Sequence, residues 1–185
     1  MRPPAMIIAD HPALDFLNTI GAPKGEEIEW LENGADLCAW LDDVGLAEAG
    51  SLAETAPDKI AVQARALREQ FRRYMNDGDP AIFDQVNSIL AKEHSHLELL
   101  QTGEVPQLRR VWRMEKPEDL LVPIAIAIAE LLAEDAPERV RQCNGPTCTM
   151  WFKDISKNNK RRWCSMAVCG NRAKAAAHRA KLKSE

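Results

Sequence analysis

Four cysteines near the end of the chain constrain its fold more than any other feature. Cys143 and Cys148 enclose NGPT, Cys164 and Cys169 enclose SMAV, and fifteen residues separate the two pairs. Paired cysteines that bring four thiolates to one point match a tetrahedral zinc ion, a borderline-soft metal that favours sulfur. Iron–sulfur ligation uses the same donors and stays open on ligand type alone. Gly145 and Pro146 supply the turn that folds the first pair back on itself. A five-residue offset on one helix would point the second pair to different sides, so Cys164 is expected on a loop or strand and Cys169 in the first helical turn. Four protein ligands leave no coordination position for water, which makes the expected site structural. A module of about 45 residues rarely holds together without such a staple. The fifth cysteine, Cys38, sits in LCAWL on an apolar helical stretch and reads as a small buried hydrophobe.

Charge divides the chain at nearly the same place. The whole is acidic, at −4, but residues 139–185 hold twelve Lys or Arg against Asp154 and Glu185, a net +10. The remaining 138 residues therefore carry −14. Two parts of opposite sign imply two jobs, and the polar, proline-bearing EDAPE segment marks the expected boundary between residues 1–137 and 138–185.

Past Cys169 the chain runs GNRAKAAAHRAKLKSE. Alanine and the basic residues are good helix formers, and almost no apolar stripe is left to bury. Arg172, Arg179 and Lys183 share one face; Lys174, His178 and Lys181 are read onto an adjoining one. Lys157, Lys160, Arg161 and Arg162 add charge on the loop between the cysteine pairs. Such a surface meets the electrostatic requirement for phosphate contact, and small alanines allow close approach to a groove. The expected nucleic-acid-binding residues are Lys160, Arg161, Arg162, Arg172, Lys174, Arg179 and Lys181. Trp151 and Trp163 are expected to pack around the metal rather than stack on bases.

Upstream, the pattern predicts an α+β, helix-rich domain. AMIIAD reads as a short strand, DHPALDFLNTI as a compact mixed segment and Gly21–Glu27 as a loop. Asn33 is an expected N-cap for a helix ended by Gly45, and Asp58 starts a long helix broken at NDGDP. A third helix is expected over residues 80–91, a hairpin around TGEVP, and an apolar helix over residues 117–135. His11, Asp15, Asn18 and Thr19 form a polar cluster that could line a small-molecule pocket or simply bond its own turn. His94 and His96 fall on one side of a strand with no companion metal ligand evident nearby.

No run reaches the roughly 18 apolar residues of a membrane span, and the opening residues lack the pattern of a signal peptide. A cytoplasmic protein with reduced thiols is the expectation. Phosphate loop, nucleophile elbow and HExxH are all missing, so no enzyme is expected.

The stretch CNGPTCTMWFKDISKNNKRRWCSMAVCGNRAKAAAHR closely resembles the CGNR zinc finger, whose tetrapeptide stands here as Cys169-Gly170-Asn171-Arg172. HPALDFLNT and WLENGADLCAWLDDVGL resemble the ABATE domain that usually precedes that finger. The resemblance implies a stress-induced bacterial transcription regulator, with a treble-clef-like C-terminal finger binding DNA and an N-terminal domain sensing a ligand. It also implies that Cys143, Cys148, Cys164 and Cys169 are the zinc ligands. Gly170 is expected to permit tight backbone passage, Asn171 to cap the helix, and Arg172 to reach a phosphate or brace a domain interface. DNA and a small ligand are the expected partners, and a homodimer would suit a palindromic site. Two alternatives remain open: a protein-docking zinc module, and a small-metabolite enzyme in the N-terminal domain.

Overall fold

The computed structural model describes residues 4–22, 26–46, 56–101, 103–134 and 136–184. Residues 23–25 of the expected loop, Thr102 of the hairpin turn, Asp135 of the boundary segment, and the side chain of Lys183 lie outside this description. The chain forms two compact units, one of residues 32–129 and one of residues 1–31 together with 130–185. Among the described residues, no helix is long and apolar enough to cross a membrane.

The unit of residues 32–129 is helical with one β-ribbon. Helix α2 (Gly34–Asp43) opens on a reciprocal cap: the Asn33 side chain accepts from the Asp36 amide, and Asp36 Oδ2 accepts from the Asn33 amide. Gly34 is required here, because a Cβ would stand 1.7 Å from the Ala56 carbonyl oxygen. Helix α3 (Asp58–Asp77) buries Ile60, Ala64, Leu67 and Phe71 at helical spacing and ends at Gly78, whose φ of 74° is left-handed. Helix α4 (Ala81–Leu90) buries Ile82, Val86 and Ile89, and its Phe83 meets Tyr74 of α3 edge to face with ring centres 5.4 Å apart. Strands β3 (Ser95–Leu100) and β4 (Gln107–Trp112) pair antiparallel, with Leu99 opposite Leu108. A tight 3-10 turn (Pro117–Leu121) then leads into the apolar helix α5 (Val122–Leu132), so the single helix expected over residues 117–135 is shorter and starts as a different turn.

The second unit joins both ends of the chain. Its N-terminal part holds helix α1 (Pro12–Leu17) and the short antiparallel pair β1 (Ile20–Gly21) and β2 (Ile28–Glu29). The strand expected at residues 5–10 does not form. The amides of Ile8 and Ala9 donate to Asp15 Oδ1 at 2.9 and 3.0 Å, so a side chain takes the place of a partner strand. The C-terminal part holds β5 (Val140–Gln142) paired antiparallel with β6 (Trp151–Lys153), a wide π-type turn (Met166–Gly170) and helix α6 (Asn171–Ser184). The compact units thus divide the chain elsewhere than the charge boundary at 137/138, which falls inside the second unit.

Candidate metal centre and basic helix

Residues on the β5–β6 hairpin and before α6 bring the four cysteines together. Cys143 follows β5, and its amide donates to the Met150 carbonyl at 2.8 Å, closing the hairpin end. The Cys148 amide donates to Gly145 at 3.0 Å, which completes the first knuckle. Gly145 lies directly over the cluster, where a Cβ would stand 2.9 Å from Cys148 Cβ and 3.4 Å from Cys169 Sγ. Cys164 lies on the incoming loop and Cys169 within the turn that feeds α6, close to the expected arrangement.

All four sulfurs are buried and lie within 4.8 Å of one another. Cys164 Sγ is 3.7 Å from both Cys148 Sγ and Cys169 Sγ. Sulfurs about 2.3 Å from a central ion at tetrahedral angles stand about 3.8 Å apart, so the cage has the dimensions of a tetrahedral thiolate site. The Cys164 amide also donates to Cys143 Sγ at 3.3 Å. Thiol chemistry points the same way. Hydrogen bonding from Cys164 lowers Cys148 to about 5, while the shared proton and burial push Cys164 far up. Burial raises Cys169 to about 12. Four thiolates this close cannot all ionise beside one another without a cation, and a metal ion is what the cage fits. Cys38 is half-buried and stands apart from it.

The core around the sulfurs includes residues the sequence did not mark. Trp30, Met150 and Phe152 are buried with the cysteines, and Ala5, Met6, Ile8 and Ile28 pack against them with Trp163 and Val168. Asn18 locks this packing: its side chain donates to the Trp151 carbonyl and accepts from the Trp151 amide, both at 2.8 Å. The Lys153 amide donates to the Ala9 carbonyl at 2.8 Å. Such pairings join residues more than a hundred positions apart, and no local pattern announces them.

The same contacts explain the polar cluster at residues 11–19. His11 Nδ1 accepts from the Ala13 amide as the cap of α1, and its Nε2 lies 3.7 Å from Glu134; burial lowers its pKa and outweighs the opposing pull of that acid. Asp15 is buried and raised to about 6 by desolvation. Thr19 donates to the Phe16 carbonyl. The hydrogen bonding of His11, Asp15, Asn18 and Thr19 is thus spent on the fold, where the sequence left a ligand pocket open.

Arg161 likewise has a different position from the one expected of a phosphate contact. Its Nε donates to the Trp163 carbonyl, Nη1 to Asp10 and the Lys153 carbonyl, and Nη2 to the carbonyls of Ile8 and Cys164. The guanidinium also lies 4.4 Å from the centre of the Phe152 ring. All five N–H groups are engaged inside the unit, which leaves none for a phosphate. Lys160 and Arg162 are exposed beside it, with Arg162 5.1 Å from the Trp163 ring centre.

Helix α6 extends from this base. Its described residues are exposed from Lys174 through Leu182, and Arg172 and Ala173 are half-buried at the first turn. Asn171 does not cap the helix start; its side chain donates back to the Ala167 carbonyl at 3.3 Å, and Ser165 caps the preceding turn instead. Arg172 Nη1 lies 3.5 Å from Thr147 Oγ1 on the first knuckle. At about 100° per residue, Arg172 and Arg179 fall on one side while Lys174, His178 and Lys181 fall nearly opposite. The two basic rows are therefore opposed rather than adjoining.

A four-sulfur cage that anchors a basic helix defines a metal-stapled finger. The chain belongs to the ABATE family, described as "Putative stress-induced transcription regulator", whose model matches residues 10–135; the CGNR zinc finger model matches residues 139–181. Comparison with curated proteins gives no match.

Proposed function

We propose that this protein is a transcription regulator that grips DNA through a zinc-stapled finger. Cys143, Cys148, Cys164 and Cys169 hold the ion, and its thiolate set and dimensions suit zinc. The observation that carries the reading is α6, a helix exposed on every side beyond its first turn, lined with cations and rooted in the sulfur cage. A helix with so little to bury is stabilised by its anchor and its propensity, and its exposed cations suit a polyanionic surface. Lys174, Arg179 and Lys181 are the contacts on α6, with Arg172 at its base and Lys160 and Arg162 on the loop. The test is a titration of zinc-loaded protein onto a selected DNA pool at several salt concentrations, with and without chelator. Affinity is expected to fall steeply with salt and to vanish on chelation. Salt-insensitive binding, or binding unchanged by chelator, would refute the reading.

A ligand-sensing role belongs with the cleft at the base of the β3–β4 ribbon. It has a volume of about 460 Å³ and is lined by Glu93, His94, Ser95, His96, Arg113 and Glu115. Buried Glu93 Oε1 has no hydrogen-bond partner among the described residues. Calorimetric titration with a panel of small zwitterions and cations tests it, with Glu93→Gln as the variant expected to lose the heat of binding.

A further inference from the structure

The placement of side chains around α6 narrows the partner, and the inference rests on the DNA-binding reading above. Taking Arg172 as 0° and 100° per residue, Arg179 stands near 340° and Lys181, Lys174 and His178 near 180–240°. Over residues 172–182 the wide arc between the rows holds Ala176, Ala180, Ala173 and Ala177. Ala176, Ala177 and Ala180 are exposed, and Ala173 is half-buried. The narrower arc on the far side carries Asn171, Leu182 and Ala175.

We infer that α6 seats along the major groove of B-form duplex DNA, with the alanine arc against the base edges and each basic row on a different phosphate strand. Charge and width both support this occupant. Opposed cationic rows match a surface with two separated anionic walls, as a groove has and a single strand does not. A helix is about 10–12 Å across with its side chains, and the B-form major groove is about 12 Å wide. Alanine adds little beyond the backbone, so the helix can lie deep enough for arms on both sides to reach phosphates. The A-form RNA major groove is too narrow and deep for such a seat.

The floor then dictates what is read. Alanine methyls neither donate nor accept hydrogen bonds, and the base feature they complement is the C5-methyl of thymine. Recognition along this helix is accordingly apolar and tolerant, favouring thymine-containing steps rather than one fixed sequence.

The experiment uses the full zinc-loaded chain and a thymine-rich duplex from the selected pool, compared with the same duplex carrying deoxyuridine at every thymine. Loss of each contacted methyl is expected to weaken binding about fourfold. Single-stranded DNA and an RNA duplex of the same sequence are expected to bind at least tenfold more weakly. Ala176→Leu and Ala180→Glu, both compatible with a helix, are expected to weaken duplex binding while zinc content and helicity stay unchanged. Duplex binding that ignores both the uracil exchange and these variants, or that is matched by single strands, overturns the groove assignment and leaves the DNA-binding reading standing. Failure to bind any of the nucleic acids overturns both.

Discussion

Replacing Arg161 by glutamine separates the two jobs that a basic residue beside a metal knuckle can have. The guanidinium donates to four backbone carbonyls, those of Ile8, Lys153, Trp163 and Cys164, and pairs with Asp10. Glutamine can replace one of these donations at most. Removing one member of a buried charged network costs about 3–5 kcal/mol, and the partial exposure of the side chain, 23%, favours the lower end. With a urea dependence of about 2 kcal/mol per molar, a loss of about 3 kcal/mol moves the unfolding midpoint down by about 1.5 M. Zinc release and the fluorescence of the buried Trp30 are expected to follow that same shifted midpoint. DNA binding by the still-folded fraction is expected to keep the salt dependence of the parent chain. Lys174→Gln and Arg179→Gln should each reduce the slope by about 0.9 per lost phosphate contact and leave the urea midpoint nearly unmoved. An Arg161→Gln protein with an unshifted midpoint and a slope reduced by about one would refute the clamp and make Arg161 a phosphate contact.

Three further outcomes follow from the same contacts. A fragment of residues 138–185 is expected to be poorly folded even with zinc, because it lacks Ile8, Asp10, Asn18 and Trp30; adding back residues 1–31 as a peptide should restore protection from hydrogen exchange in β6. Cys169→Ser is expected to abolish stoichiometric zinc, measured by atomic emission, and to lower the helical signal of α6. Burial raises Asp15 to about 6 from an ordinary value of 3.8, so the fold favours its protonated form. The sign follows: its contribution is fully present below about pH 4 and lost as pH rises through 6. Asp15→Asn keeps an oxygen for the Ile8 and Ala9 amides, and should raise stability by about 2–3 kcal/mol at pH 8 and by little at pH 4, read from urea midpoints.

What the sequence made legible was local. Asn33 and Asp36 lie three residues apart and cap α2 on each other, Gly78 ends α3 with a left-handed turn, and the cysteine pairs close short loops. Each of these features works over a handful of residues, so its pattern survives in one dimension. Asn18, Arg161 and Trp30 were not legible in the same way. Their partners are set by the pairing of residues 5–31 with residues 140–164, and nothing within a few positions of any of them specifies it. The basic loop shows the resulting bias: charge is visible in sequence, whereas the carbonyls that consume it are not. Helix α6 shows a different limit, since its residues were known but their angular order decides which surface they can match.

The unit that contains the sulfur cage is assembled from the first thirty-one residues and the last fifty-six, with the other unit inserted between them. On a ribosome, the earliest segment to emerge must wait for the latest before Trp30 and Ile8 can reach the cysteines. The inserted helical unit has all its own contacts available long before that and can fold while synthesis continues. If it does, it shortens the span that the two ends must close, because a folded insert replaces roughly a hundred residues of loose chain. A nascent chain therefore lacks the full set of sulfurs until Cys169 has emerged. Closure of the cage is thus a late event, set by the arrival of Cys164 and Cys169.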